Sequence, residues 1–535
     1  MGITRHILFV FSIFKVVASV EISLDTTQLI FNTSDKFLSV AIDSGIIRRN
    51  WEKFNPRSPL VKLLASALGP CYLRMGGTDA DFLIFKEKDD SLSSAKPSYL
   101  KSQYNNIRVQ DAIDIYKNNS TRVKRRSGHL DQNGPNINDF DVGYDYKKDL
   151  TNFTMTGQFF DEAYEFVSSV GWDFIFDLNL LQRQNDRWDP SNAMELMNYT
   201  LKHGYKMAGW ELGNEPNAFY HLIKFRLLPD TLAHDYVRLQ QVLSDFDLYN
   251  NNTVIIGPSV TQLNKKSTNI YFESFLESGG GDVVTAASFH QYYIDGRTAT
   301  IDQFYDPEVL NVLQSELATG VTLTRAAHCK APIWLGETSS AWGGGAEGLS
   351  DRYVAGFMWL DKLGLAASLG VDVVIRQSFY GGHYALLDQL TLEPNPDYWL
   401  SLLYKTLVGR GVVRVTSPES TGKLRVYAHC TNTVRSGYPA GSVTVYVLNM
   451  GSVSCDVSFA DFPSNSPVHV YMMTAADGDL TSQSVLLNGV PLEVAEGRLP
   501  DLLTPVKTTR AVSVPALTYA FIVLPDAGLQ MCVGG

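Results

Sequence analysis

The chain has 535 residues, 45% hydrophobic, 11% aromatic and 19% charged, and a formal net charge of -11. That is enough chain to bury a sizeable core, and this aromatic content excludes a disordered or low-complexity class. With 56 acidic against 45 basic residues, a globally cationic nucleic-acid binder is excluded, so a polyanionic ligand must meet a local basic patch.

The chain opens on Arg5 and His6, then the apolar run Ile7–Phe14, Lys15, and the small residues Ala18 and Ser19. The run is far shorter than the roughly 20 apolar residues a membrane span requires. It reads as a secretory signal peptide over residues 1–19, cut near residues 18–20. No other stretch suits a transmembrane segment, so the mature protein is expected to be soluble. Sequons begin at Asn32, Asn118, Asn119, Asn152, Asn198 and Asn251, which fits a secreted glycoprotein. Cys71, Cys329, Cys430, Cys455 and Cys532 are too sparse for a disulfide scaffold and lack metal-ligand spacing. Their odd number leaves at least one thiol free or paired with another chain. Cys71, inside an apolar run, reads as a buried thiol.

A strand-like run, Val20–Phe31, follows the signal. Eight β-rich runs then come in order: Phe37–Asp43, Cys71–Gly76, Phe174–Leu180, Ala208–Gly213, Val254–Val260, Val283–Tyr293, Ile333–Glu337 and Val371–Phe379. Most are continuous apolar stretches, as parallel strands buried on both faces require. Helical patterns such as Phe160–Val170, Pro190–His203 and Arg352–Leu369 lie between them. Eight alternations predict an α/β fold, a (β/α)8 TIM barrel. A doubly wound open sheet is the competing fold, but no Gly-rich phosphate loop follows an early strand.

Residues 91–146 interrupt the barrel after its second strand. They are polar, rich in Ser, Asn, Asp and Lys, and carry Arg122-Val123-Lys124-Arg125-Arg126. Barrel connections are usually short, and exposed loops are preferred sites of nicking. The segment reads as a linker with a protease cut after Arg125 or Arg126. From about residue 410 the runs Leu424–His429, Ser442–Leu448, Val468–Met473 and Ala516–Leu524 are separated by turn residues. They predict a C-terminal antiparallel β-sandwich over 410–535, which residues 20–36 join. Cys430 and Cys532 lie at its two ends. The barrel is then built from residues 37–90 and 147–409.

Two glutamates carry the chemistry. Glu215 ends the fourth run in Trp210-Glu211-Leu212-Gly213-Asn214-Glu215-Pro216, and Glu337 ends the seventh in Ile333-Trp334-Leu335-Gly336-Glu337. Barrel enzymes place catalytic groups at strand C-terminal ends, so both carboxylates face one mouth. Paired carboxylates across a sugar are the machinery of glycoside hydrolysis.

These motifs, GWELGNEP and WLGETSSAWGGGA, with RMGGTDADFLIF at residues 74–85, HQYYIDGRTAT at 290–300 and PDYWLSLLYKTLVG at 396–409, resemble the heparanase family. The resemblance covers nearly the whole mature chain and is weakest over residues 91–160. It implies a retaining endo-β-glucuronidase acting on heparan sulfate proteoglycans, with Glu215 as acid/base and Glu337 as nucleophile. It also implies a proenzyme whose linker is removed, leaving a small chain that ends near Asp90 and a large chain that begins near Lys147. The two stay associated. The enzyme would be secreted to the extracellular matrix, lysosomal, or both. On the same ground Cys430 pairs with Cys532. Arg122 to Arg126 resembles a furin-type convertase site.

Motif by motif, the resemblance assigns sugar contacts to Asp43, Thr78, Asn214, Gly343, Gly344 and Tyr384. His290 and Tyr292 are expected beside the nucleophile, with Tyr292 orienting Glu337. Gln262, Lys265, Lys266 and Arg297 follow strands five and six, and Lys147 and Lys148 flank the processed terminus. Asn264 stands where the family tends to have arginine, Gly45 replaces an asparagine, His221 a lysine and Trp342 a tyrosine. The cationic cleft is therefore thinner than the family pattern. No metal or organic cofactor is implied. The alternatives are a hyaluronan-cleaving or exo-acting β-glucuronidase, and a non-catalytic heparan-sulfate-binding relative.

Overall fold

The computed structural model describes residues 18–88, 150–250, 252–416 and 422–533. Eight parallel strands close into a barrel: β1 (Leu38–Asp43), β2 (Tyr72–Gly76), β3 (Asp173–Leu178), β4 (Gly209–Leu212), β5 (Val254–Val260), β6 (Ala286–Gln291), β7 (Ile333–Thr338) and β8 (Val371–Tyr380). β8 pairs with β1 and completes the ring. Ala41, Ile175, Ile256, Ala286, Trp334, Val373 and Ile375 form one apolar cluster drawn from six of these strands. A second core lies between strands and surrounding helices, where Phe160, Phe174 and Phe176 pack in tilted and edge-to-face pairs with ring centroids 5.7–6.0 Å apart. The eight strands sit where the sequence predicts them, except that the sixth begins later. Val283 belongs to the helical turn Gly281–Val283 instead.

The C-terminal unit is a two-sheet sandwich. Its larger sheet includes Val408–Val415, Leu424–Thr431, Val443–Asn449, Thr518–Leu524 and Val468–Ala475. The strand-like run at the N-terminus is two strands in two sheets. Leu24–Asn32 joins the edge of the larger sheet, and Ala18–Ile22 pairs with Cys455–Phe459 in the smaller one. That second pairing is parallel, so the sandwich is not wholly antiparallel as expected. Strand alternation divides the cores. Val443, Val445 and Val447 face the sandwich interior with the Cys430–Cys532 disulfide. Tyr446, Tyr519 and Phe521 face the barrel helices. There the Tyr427 hydroxyl donates to Asp361 at 2.6 Å, locking sandwich to barrel. Of the expected signal peptide only residues 18 and 19 are among the described residues, and the expected linker 91–146 with Arg125 and Arg126, and Lys147 and Lys148, lie wholly outside them.

Candidate active site

A cleft of about 820 Å³ opens at the C-terminal ends of the barrel strands. Glu215 and Glu337 line it, and so do Asp43, Thr78, Asn214, Gln262, Lys265, His290, Tyr292, Arg297, Gly343, Gly344 and Tyr384. Asn264 and Trp342 also line it, whereas Gly45, His221 and Lys266 do not.

Local backbone aims both glutamates. Glu215 lies three residues beyond β4 at φ 51°, the left-handed region that non-glycine residues rarely adopt. Its N–H donates to the Ser259 carbonyl at 3.0 Å, which ties it to β5. Pro216 starts a short helical turn at once and ends the extended run. Along β7 the register against β6 slips by one residue between Leu335 and Glu337. Gly336 is the extra residue, and a Cβ there would collide with Ser288 Oγ. Such a slip turns the next side chain to the other face, and here it delivers Glu337 into the mouth.

Beneath the glutamates lies a buried ionic floor. Arg74, on β2, has no exposed surface. Its Nε donates to Glu211 at 2.5 Å, and its two terminal nitrogens to Glu337 Oε2 and Asn214 Oδ1, each at 2.9 Å. Asp177 lies 3.8 Å away. Burial costs such a charge dearly unless it is paired and hydrogen-bonded, and Arg74 is both. Ser259 donates to the second oxygen of Glu211. Burial and the Glu211 charge push the Asp177 carboxyl well above its ordinary value.

Tyr292 donates to Glu337 Oε1 at 2.7 Å. Burial pushes the Glu337 carboxyl up, but the pull of His290 and Arg74, with the Tyr292 hydrogen bond, holds it below the usual value. The nucleophile candidate is therefore kept ionised. His290 Nδ1 lies 2.9 Å from Glu215 Oε1, so His290 contacts the other glutamate directly. Asp43, which lines the same cleft, accepts from the Gly45 N–H at 2.7 Å. Burial, and then the neighbouring Asp79, push its carboxyl up to about 7.

One oxygen each of Glu215 and Glu337 and one ring nitrogen of His290 lie within 4.8 Å of one another. Such donors could surround a cation. However, both Glu337 oxygens already accept, from Arg74 and Tyr292, and the guanidinium opposes a second positive charge. The set fits a carboxylate pair better than a metal centre. Sequence reasoning missed Arg74, Glu211, Asp79, Arg48 and Asp295. The first pair was signalled by a lone cation in one apolar strand and a lone acid in another, which demand each other.

A closed (β/α)8 barrel with two close carboxylates at its mouth defines the class of this chain: it is a glycoside hydrolase. Residues 133–364 match the family model "Glycosyl hydrolase family 79, N-terminal domain". The chain is 38% identical to heparanase of Mus musculus over 531 residues, covering 96% of this chain and 94% of that one. It is 32% identical to hyaluronoglucuronidase of Hirudo nipponia over 536 residues, covering 96% and 99%. A solved 4-O-α-L-rhamnosyl-β-D-glucuronidase from Fusarium oxysporum shares the fold, with a TM-score of 0.61 at 16% identity over 95% of this chain and 100% of that one. The chain belongs to the heparanase family, within glycosyl hydrolase family 79.

Proposed function

We propose that this chain is a retaining endo-β-glucuronidase that cleaves heparan sulfate on proteoglycans. The observation that carries the mechanism is the carboxylate separation, within 4.8 Å oxygen to oxygen. Retaining enzymes hold their carboxyl groups about 5–5.5 Å apart, and inverting enzymes leave about 6.5–9.5 Å for a water. Glu215, as the acid, donates its proton to the glycosidic oxygen as the C1–O bond breaks. Glu337 forms a bond to C1 and gives a glycosyl ester. Glu215, now a carboxylate, takes a proton from water as the water oxygen attacks C1, and Glu337 leaves. Arg74 and Tyr292 stabilise the Glu337 charge when it is released. Asp43, Thr78, Asn214 and Tyr384 hold the sugar in the cleaved subsite. Gly343 and Gly344, at φ 77° and 89°, bring consecutive N–H groups to a uronate carboxylate.

The enzyme is made as a secreted or lysosomal proenzyme. The described segment before the linker supplies β1 and β2, and the one after it supplies β3 to β8. Leu83–Lys86 also pairs with Phe153–Thr156 across the gap in sequence, so two chains cut between them would remain one barrel. Changing Arg122, Lys124, Arg125 and Arg126 to alanine tests the cut. An unchanged two-chain product would place it elsewhere, and full activity in an uncut form would end the latency reading.

One observation favours hyaluronan as a second reading. Arg48, Arg49, Lys265 and Arg297 line the cleft against Asp43, Asp79, Asp295 and the two glutamates, so the lining is not cationic overall. Processed enzyme is incubated with heparan sulfate, hyaluronan and an aryl glucuronide. Shortened heparan sulfate with a β-configured new reducing end is expected. An α anomer would refute retention, and release of monosaccharide alone would refute the endo mode.

A further inference from the structure

The rim of the cleft carries a fixed counter-charge. After β6 the chain forms a short ribbon in which Ile294 and Asp295 pair with Ala341 and Trp342. Gly296 N–H donates to Trp342 O at 3.1 Å, and a Cβ on Gly296 would collide with the Gly345 carbonyl. The backbone of Asp295 is thus fixed against the loop after β7. Its carboxylate accepts three bonds from Arg297: the backbone N–H at 3.0 Å, Nε at 2.9 Å and a terminal nitrogen at 2.7 Å. That is a two-pronged charge-assisted pair closed by a turn. Arg297 faces the cleft but brings its neutralising partner with it. Arg48, which also lines the cleft, likewise pairs with a carboxylate, its Nε and a terminal nitrogen donating to Asp79 Oδ1 at 3.1 and 2.9 Å.

We infer that Asp295 is a specificity-determining residue that turns this rim against densely sulfated chains and toward weakly sulfated or unsulfated uronate polymers. A sulfate reaching Arg297 must compete with a carboxylate already seated in the guanidinium fork, and it meets the repulsion of that carboxylate. A hydroxyl or N-acetyl group at the same place meets neither cost. Specificity here comes from a repulsive element as much as an attractive one. The inference rests on the proposed glucuronidase reading for the substrate class, but its charge logic applies to binding alone.

The test is Asp295→Asn. Asparagine keeps the Oδ1 acceptor for the Arg297 N–H, so the turn is retained while the charge is removed. Turnover is measured on heparin and on N-acetylheparosan, an unsulfated polymer of glucuronic acid and N-acetylglucosamine. The heparin-to-heparosan ratio of kcat/KM is expected to rise roughly threefold to fivefold, the size of a partly exposed charge pair. The gain should vanish when Arg297→Met is added and shrink above about 0.3 M salt. An unchanged ratio, or a gain that survives Arg297→Met, overturns the proposal. The same comparison is made by heparin binding to Glu337→Gln and to Glu337→Gln with Asp295→Asn. If the enzyme cut none of these polymers, the glucuronidase reading would fail, while the binding pair would still decide the role of Asp295. Asp295→Ser replaces the first variant if its melting temperature falls.

Discussion

The floor of the cleft and its rim both pair arginine with carboxylates, under opposite conditions. Arg74 is completely buried and bonded on three nitrogens. Arg297 keeps 34% of its side chain exposed and pairs with Asp295. At the floor, low dielectric makes every charge strong and every unpaired charge costly. At the rim, water and salt weaken a pair until a substrate can trade with it. The floor therefore suits chemistry, where a carboxylate must stay ionised. The rim suits selection, where differences of about 1 kcal/mol decide between polymers.

The largest effect separates the two regions outright. On the proposed mechanism Glu337→Gln leaves no nucleophile, and turnover of the polysaccharide should fall by roughly 10⁴-fold or more. Glu215→Gln should cost about 10²- to 10⁴-fold on the polysaccharide and far less on an aryl glucuronide whose leaving group needs no proton. Steady-state kinetics on both substrates check this. Near-normal turnover by both variants would move the chemistry away from the floor.

Arg74→Met comes next. It strands Glu211, Glu337 and Asp177 without their cation, and breaking a buried pair by removing one partner costs about 3–5 kcal/mol. A clear drop in denaturant midpoint is expected, along with lost activity. Equal effects from Arg297→Met would erase the contrast between floor and rim.

Tyr292→Phe is milder and reads the electrostatics directly. It removes one hydrogen bond to a charged group, about 1.5–3 kcal/mol, or roughly tenfold or more in kcat. That bond lowers the Glu337 carboxyl, so its loss raises the folded value. The acid limb of kcat/KM, which needs Glu337 ionised, should then move to higher pH. A fall in rate with an unmoved limb would make Tyr292 a purely structural contact.

Much of this was legible in the residues. Buried parallel strands announce themselves as apolar runs, and glutamates placed at the C-terminal ends of two of them stood out. What escaped depended on backbone detail. Val20–Phe31 reads as one strand, yet the chain breaks at Ser23 and its halves enter different sheets. Val283 is as apolar as any strand residue but closes a helical turn. The one-residue slip at Gly336 that aims Glu337 leaves no hydrophobic signature. Arg74 was visible only as an exception within an apolar run, and its partners come from strands 137 and 263 residues away in sequence.

The smallest effect belongs to the rim. Lys265 lines the cleft, and Lys266, next to it, is exposed outside. Sequence position alone treats them as one patch, but Lys265 precedes the helix Lys266–Phe275 and Lys266 is its first residue, which turns the two side chains apart. An exposed charge contact is worth about 0.2–1 kcal/mol. Lys265→Ala should therefore raise KM for heparan sulfate by about twofold to fivefold at low salt, with kcat unchanged. The difference should close as ionic strength rises, because the Debye length falls from about 10 Å at 0.1 M to about 3 Å at 1 M. Lys266→Ala should leave both constants alone. Kinetics at two salt concentrations separate the cases. Equal effects from the two lysines would mean that the polymer tracks a diffuse outer surface, and that the rim selects by net charge instead of by the placement of individual groups.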